Sequence, residues 1–168
     1  MELVVEDGTG LPTANSLVSI EDADLILEPN IHSTWATFDD EKKKKLLVWS
    51  TNLICQRARW KGTKRYETAR LPFPRTGLRD ADGSFYPDDE VPAPAKEAVA
   101  TLADFLATGD PTQPNTSSNV SRLDVDVISL QFDVNTTPER WPSSIGIILR
   151  DIATISFGKT GGKRIIKH

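Results

Sequence analysis

A chain of 168 residues, 38% hydrophobic and 26% charged, is long enough for one domain with a buried core and too short for two comfortable ones. No apolar run approaches the roughly 20 residues that cross a bilayer, and Glu2, Glu6 and Asp7 stand where a signal peptide would carry lysines, so the expectation is a soluble, membrane-free protein made in the cytoplasm. One cysteine and two histidines leave little material for a disulfide framework, a metal centre or a histidine relay; the expectation is no enzyme, no cofactor and no metal.

The net charge of −4 is unevenly spread. Lys159, Lys163, Arg164 and Lys167 give the last ten residues four positive charges and no negative one, and removing them from −4 leaves a body of about −8. An acidic body is a poor match to a phosphate backbone, whereas a basic tail suits nucleic acid or an acidic protein surface.

Residues 3–17, with two glycines, a proline and Asn15-Ser16, read as extended and turn-rich with a short strand at Leu3-Val4-Val5. A helix follows from Ser19, a good N-cap with Asp22 three residues on. Ile20, Ala23 and Leu27 form its apolar stripe, and Pro29 stops it. The strongest helix runs from Asp39 or Asp40 to about Trp60, with Gly62 beyond and Leu46, Trp49, Leu53, Ile54 and Ala58 on one face. Lys42–Lys45 reads as a solvated face and Cys55 as buried packing. At the helix end, Arg57, Arg59, Trp60, Lys64, Arg65 and Tyr66 interleave cations with aromatics. This is the pattern of a single-strand groove with stacking platforms; the competing reading packs Trp60 and Tyr66 beneath the following loop.

That loop, Leu71–Pro92, exceeds the ~12–15 residues usual for structureless connections, and it carries its own anchors in Leu71, Phe73, Leu78, Phe85 and Tyr86. Asp80-Ala-Asp-Gly83 reads as a tight turn in a small hairpin from Leu78 to Phe85. Its acidic residues lack the glycine and glutamate register of a calcium loop. Ala95, Val99, Leu102, Ala103 and Leu106 then trace a second core helix, Ala93–Thr108. Residues 110–121 read as a polar, exposed connection. From Val120 the period is two: Leu123, Val125 and Val127, then Ile128, Leu130, Phe132 and Val134 after a change of phase. This is a bulged strand or a narrow hairpin, and a two-stranded ribbon needs a partner. A last helix starts near Pro142, with Trp141 at its entrance, Ile145, Ile148, Leu149, Ile152 and Ile155 on one side and Gly158 as its stop. Gly158-Lys159-Thr160 lacks the upstream glycine of a phosphate loop.

The fold expected is mainly α: a small helical bundle with a long anchored loop, a short β-strand or hairpin extension and an extended C-terminal tail. Residues 1–158 form one helical domain with inserted loop 71–92 and strand segment 120–134, and residues 159–168 the basic tail.

Val4-Val5-Glu6-Asp7-Gly8-Thr9-Gly10 with Ala14-Asn15-Ser16, the Trp60 helix end, Pro74-Arg75-Thr76-Gly77, and Glu90-Val91-Pro92 leading into an alanine-rich helix occur in an order that resembles a family of tailed-bacteriophage proteins labelled head–tail connector or DnaT-like single-stranded DNA-binding. The resemblance is best over the N-terminal two thirds. It implies a helical adaptor forming a ring of about 12 copies beneath the portal protein, at the virion neck, joined to the tail tube, nozzle or next connector. Packaged DNA passes through such a ring without sequence-specific contacts. The tail residues Lys159, Lys163, Arg164, Ile165, Ile166 and Lys167 are then expected on the portal. Phe73, Arg75, Leu78, Phe85, Tyr86, Val125 and Val127 are expected between subunits or against tail proteins. The alternative is a replication single-strand binder using Arg57, Arg59, Trp60, Lys64 and Arg65.

Overall fold

The computed structural model describes Met1–Gly109 and Trp141–Ile155, together with the backbone of two strands between residues 122 and 131. Helix α1, Ile20–Leu27, begins where Ser19 leaves the extended region and its Oγ accepts the Asp22 N–H at 3.0 Å. Ala23 and Leu27 turn inward, and the chain then makes one 3-10 turn, Trp35–Thr37, that buries Trp35. Helix α2, Asp40–Arg57, is opened by Asp39, whose Oδ1 accepts the Lys42 N–H at 2.7 Å. Its inner face is Leu46, Leu47, Ser50, Leu53 and Ile54.

Helix α3, Ala93–Thr108, starts after Pro92 with Pro94 in its first turn, where a missing N–H costs nothing. It is the hub, packing against α1, α2 and the short helix α4, Ser143–Leu149. Its sequence suits that position: Ala95, Ala98, Ala100 and Ala103 are fully buried, and side chains this small let neighbouring helices approach while Val99, Leu102 and Leu106 fill the space between. The mainly helical architecture is as the periodicities predict, with several departures in the strands.

Helix α2 ends at Arg57, not near Trp60, and the last helix ends at Leu149, not at Gly158. Both stop for the same reason. Strand β1, Ala58–Trp60, pairs antiparallel with β6, Ala153–Ile155, matching Arg59 to Thr154 and Trp60 to Ala153. Ladder bonds to a partner far along the chain replace the helical bonds that either segment could have made alone. A smaller ladder joins β2, Thr63–Lys64, to β3, Arg75–Thr76.

The Leu71–Pro92 loop is held by its own side chains. Leu71, Phe73 and Leu78 are buried in the core, and Arg79 bridges to Phe85 across a turn in which Asp80 Oδ1 accepts the N–H groups of Asp82 and Ser84. Gly83 supplies the positive φ of 85° there.

The chain divides into two compact units, Met1–Gly109 with Trp141–Ser156, and Asp110–Arg140 with Phe157–His168. Within the second, β4, Arg122–Val125, and β5, Ile128–Gln131, form an antiparallel ribbon with Leu123 opposite Leu130 and Val125 opposite Ile128. The change of period near Val127 is thus a narrow hairpin and not a bulged strand.

Candidate functional site

The basic and aromatic strip at the end of α2 is the first place to look for a nucleic-acid surface, and β1 and β2 set its geometry. Trp60 is half-buried with its ring edge-on to the buried Phe73, centroids 4.7 Å apart at 76°. Tyr66 lies beneath the N-terminal loop, so close that a Cβ on Gly10 would come within 2.5 Å of its ring. Both rings are thus packed, one on the 71–92 loop and one under residues 8–11, and offer no open stacking platform.

The cations are largely committed as well. The Arg57 guanidinium lies 5.3 Å from the Trp141 ring centre. Lys64 Nζ donates to the Ala69 carbonyl, and Arg65 donates to both the carbonyl and the carboxylate of Asp88 at 2.9 Å. Lys61 Nζ reaches the Arg150 carbonyl at 2.8 Å. Arg59 is exposed on β1, opposite the exposed Thr154.

The residues expected between subunits separate into two groups. Phe73 and Leu78 lie fully inside the chain's own core, where they present nothing to a neighbour; a loop this long is ordered by burying just such anchors. Arg75 donates to the carbonyls of Lys61, Gly62 and Pro72 at 2.7, 2.8 and 3.2 Å, clasping the turn between β1 and β2, and burial lowers its pKa. Tyr86 is half-buried, its pKa raised by desolvation and then by the charges of Asp80 and Asp151. Phe85 alone projects, 63% exposed, with the Arg79 guanidinium 3.7 Å over its ring. Val125 is in β4 and its side chain lies outside the described residues, as do Val127 and the tail residues Lys159, Lys163, Arg164, Ile165, Ile166 and Lys167.

Two features carry no signal that residue type or spacing exposes. The first is Glu6, 3% exposed, whose Oε1 accepts the N–H groups of Gly8 and Gly10 and whose Oε2 accepts that of Leu11, at 3.0, 2.8 and 3.0 Å. A glutamate followed by two glycines within four residues is the only trace it leaves. The second is Lys43, which the run of four lysines places in solvent but which is buried at 8% exposure. Its Nζ and Trp35 Nε1 both donate to Asp24 Oδ1, at 2.8 and 2.6 Å. Burial pulls the Asp24 pKa up, and the hydrogen bonds from Lys43 and Trp35 with the Lys43 charge outweigh it, so the carboxyl titrates below its usual range. Beside this cluster opens a cleft of about 460 Å³ against Leu27, Glu28 and Asn30, and a second of about 420 Å³ lies between Leu25 on α1 and Lys96 and Glu97 on α3.

A sequence model of the family described as "Putative DnaT-like ssDNA binding protein" matches residues 1–166. The chain belongs to that family. No curated protein and no solved structure matches it. Among the described residues of this family member, no helix is long and apolar enough to cross a membrane and no three metal-binding side chains are grouped. The strings that carry the resemblance are those that hold the two loops together: Glu6 and Gly8 fix the N-terminal loop, Arg75 clasps the strip, and Val91-Pro92 starts the hub helix.

Proposed function

We propose that this protein is a structural head–tail connector of a tailed phage, a homo-oligomeric ring of about 12 copies at the virion neck that joins the portal to the tail tube, nozzle or next connector. Its role is binding and assembly, with no reaction of its own. The observation that carries the proposal is the internal commitment of the Arg57–Tyr66 strip: its rings are packed and most of its cations bound to carbonyls or carboxylates of the same chain. A body of about −8 adds to this, because a negative wall lets DNA pass without sticking. The basic segment 159–168, with four positive charges and no negative one, serves as an arm that docks on the portal.

The second reading is single-strand binding in replication, and the family description by itself favours it. Exposed Arg59 and Arg150, and apart from them Arg70, Lys42 and Lys45, are cations it would use.

The test is sedimentation and negative-stain imaging of the protein with its portal ring, with and without residues 159–168, beside a single-stranded DNA titration at two salt concentrations. A ring on the portal that depends on the tail, with negligible DNA affinity, is the expected result. A monomer that ignores the portal and binds single strands with a steep salt dependence overturns the connector and establishes the second reading.

A further inference from the structure

Large apolar side chains stand exposed at few places among the described residues, and three of them mark the two ends of α2. At the N-terminal end, Leu25 and Ile31 are 69% and 89% exposed. Leu25 lines both clefts, and Asp22, Asp24, Glu28 and Glu97 surround them, outnumbering Lys43 and Lys96. At the C-terminal end, Ile147 on α4 is 64% exposed. One turn on is Arg150, whose carbonyl holds Lys61, and Arg59 stands on the adjoining strand, so the cations there outnumber Asp151.

The distance between these ends follows from the helix. Lys43, which binds Asp24, lies in the first turn of α2, and Arg57 closes it; the 14 steps from one to the other span about 21 Å at 1.5 Å each. The two clefts at one end are therefore lined with net negative charge beside two aliphatic knobs, and the other end carries a basic face with one aliphatic knob. The two faces are complementary and not self-complementary.

We infer that the α1 end of one copy seats against the α4 end of the next, with Ile147 entering the clefts beside Leu25 and with Arg150 and Arg59 facing Glu28 and Glu97. This deepens the connector reading and rests on it. Such a contact is head-to-tail: an open chain of copies keeps one free face of each kind at its two ends, and it closes into a ring when the rotation per step divides a full turn. Opposite charges fix the register and suppress acid-to-acid and base-to-base pairing.

The experiment is analytical sedimentation of the full chain, wild type, Leu25→Asp and Ile147→Asp, each alone and the two variants mixed, with and without portal ring. Both side chains are exposed, so both variants keep the wild-type circular dichroism spectrum and melting temperature. Each variant alone self-associates at least about tenfold more weakly than wild type. Mixed, they form a dimer and stop there, because one intact face remains on each; raising salt from 0.1 to about 0.5 M weakens it. Variants that assemble as wild type does, or a mixture that stays monomeric while wild type assembles, overturn this interface. A portal-bound ring unchanged by either substitution overturns it too and leaves the connector standing. No assembly in any setting, portal included, sinks the connector reading, and this interface with it.

Discussion

Replacing Glu6 by glutamine changes one atom of one buried side chain and is expected to loosen the whole N-terminal loop. The carboxylate takes three backbone N–H groups, from Gly8, Gly10 and Leu11. Both glycines press on other parts of the fold: a Cβ on Gly8 would sit 1.7 Å from the Asp89 carbonyl oxygen, and one on Gly10 2.5 Å from the Tyr66 ring. The bonds thus hold the loop against both the 71–92 segment and the end of the basic strip. In glutamine one oxygen becomes an NH2. If the oxygen stays with the two glycines, the NH2 meets the Leu11 N–H donor to donor. One charge-assisted bond, worth about 1.5–3 kcal/mol, is then lost, and two others fall toward the roughly half-strength neutral kind.

With partial relaxation the loss is about 2–4 kcal/mol, which in a protein of this size lowers the melting temperature by about 5–12 °C. Glu6→Ala, which leaves all three N–H groups without an acceptor, costs more. The assay is a thermal melt of wild type and both variants, read beside hydrogen exchange at Gly8, Gly10 and Leu11. A glutamine variant that melts within about 2 °C of wild type, with those three amides as protected as before, refutes the account of the carboxylate as the loop's organiser.

Gly8→Ala is expected to destabilise by more than about 2 kcal/mol, because φ is +96° and the new Cβ collides with the Asp89 backbone. Gly83→Ala, at φ +85° with open space around it, carries only the ~1 kcal/mol of backbone strain; equal losses at the two sites would contradict the packing. Burial pushes the Cys55 thiol up to about 12, so at pH 8 about one thiol in 10,000 is ionised, against about a quarter for a free cysteine. A disulfide reagent is therefore expected to react about a thousandfold more slowly in the native protein than in denaturant, and rapid native reaction would refute the burial. Asp24 titrates below its usual range, so the unfolded chain binds its proton more readily. Its contribution is full above the ordinary aspartate value near 3.9 and is lost as pH falls through the lower folded value. Denaturant titrations of Asp24→Asn are expected to show a deficit at pH 7 that narrows below about pH 4, and a constant deficit down to pH 2 would refute the assignment.

Local chemistry was legible where one segment decides its own structure. Ser19 caps as a side chain that accepts from the third residue on, and the alanine and leucine spacing of 95–106 places α3 correctly. Packing of Trp60 and Tyr66 beneath loops follows from the area an aromatic buries. What stayed hidden depends on two distant segments at once. Three residues, Ala58–Trp60, carry no measurable period, and only Ala153–Ile155 makes them a strand. Lys43 looks like its three neighbours until α1 brings Asp24 beside it. Glu6 looks like surface acid because its partners are backbone amides, which every residue has. The exposed Leu25, Ile31 and Ile147 could not be told from core residues by type, since periodicity marks them as apolar and only packing shows which are left over.

The family description and the geometry meet in one measurable quantity, the salt dependence of DNA affinity. A single strand releases about 0.7 counterions for each phosphate neutralised. Arg59 and Arg150, with Lys61 bonded to the Arg150 carbonyl beside them, are exposed cations grouped on one face of the described body, and even with Lys61 released they can produce a slope of log affinity against log salt no steeper than about −2. The segment 159–168 carries four more charges and could add about −3. Full-length protein and a variant ending at residue 158 therefore separate the sources. A slope near −5 that falls to −2 or less on removing the tail means that any DNA binding is a property of the arm, which the connector reading already uses against the portal. A slope steeper than about −3 that survives removal requires further cations on the body, either Lys64 and Arg65 released from their internal bonds or the exposed Lys42, Lys45 and Arg70, and that result would count against the connector reading.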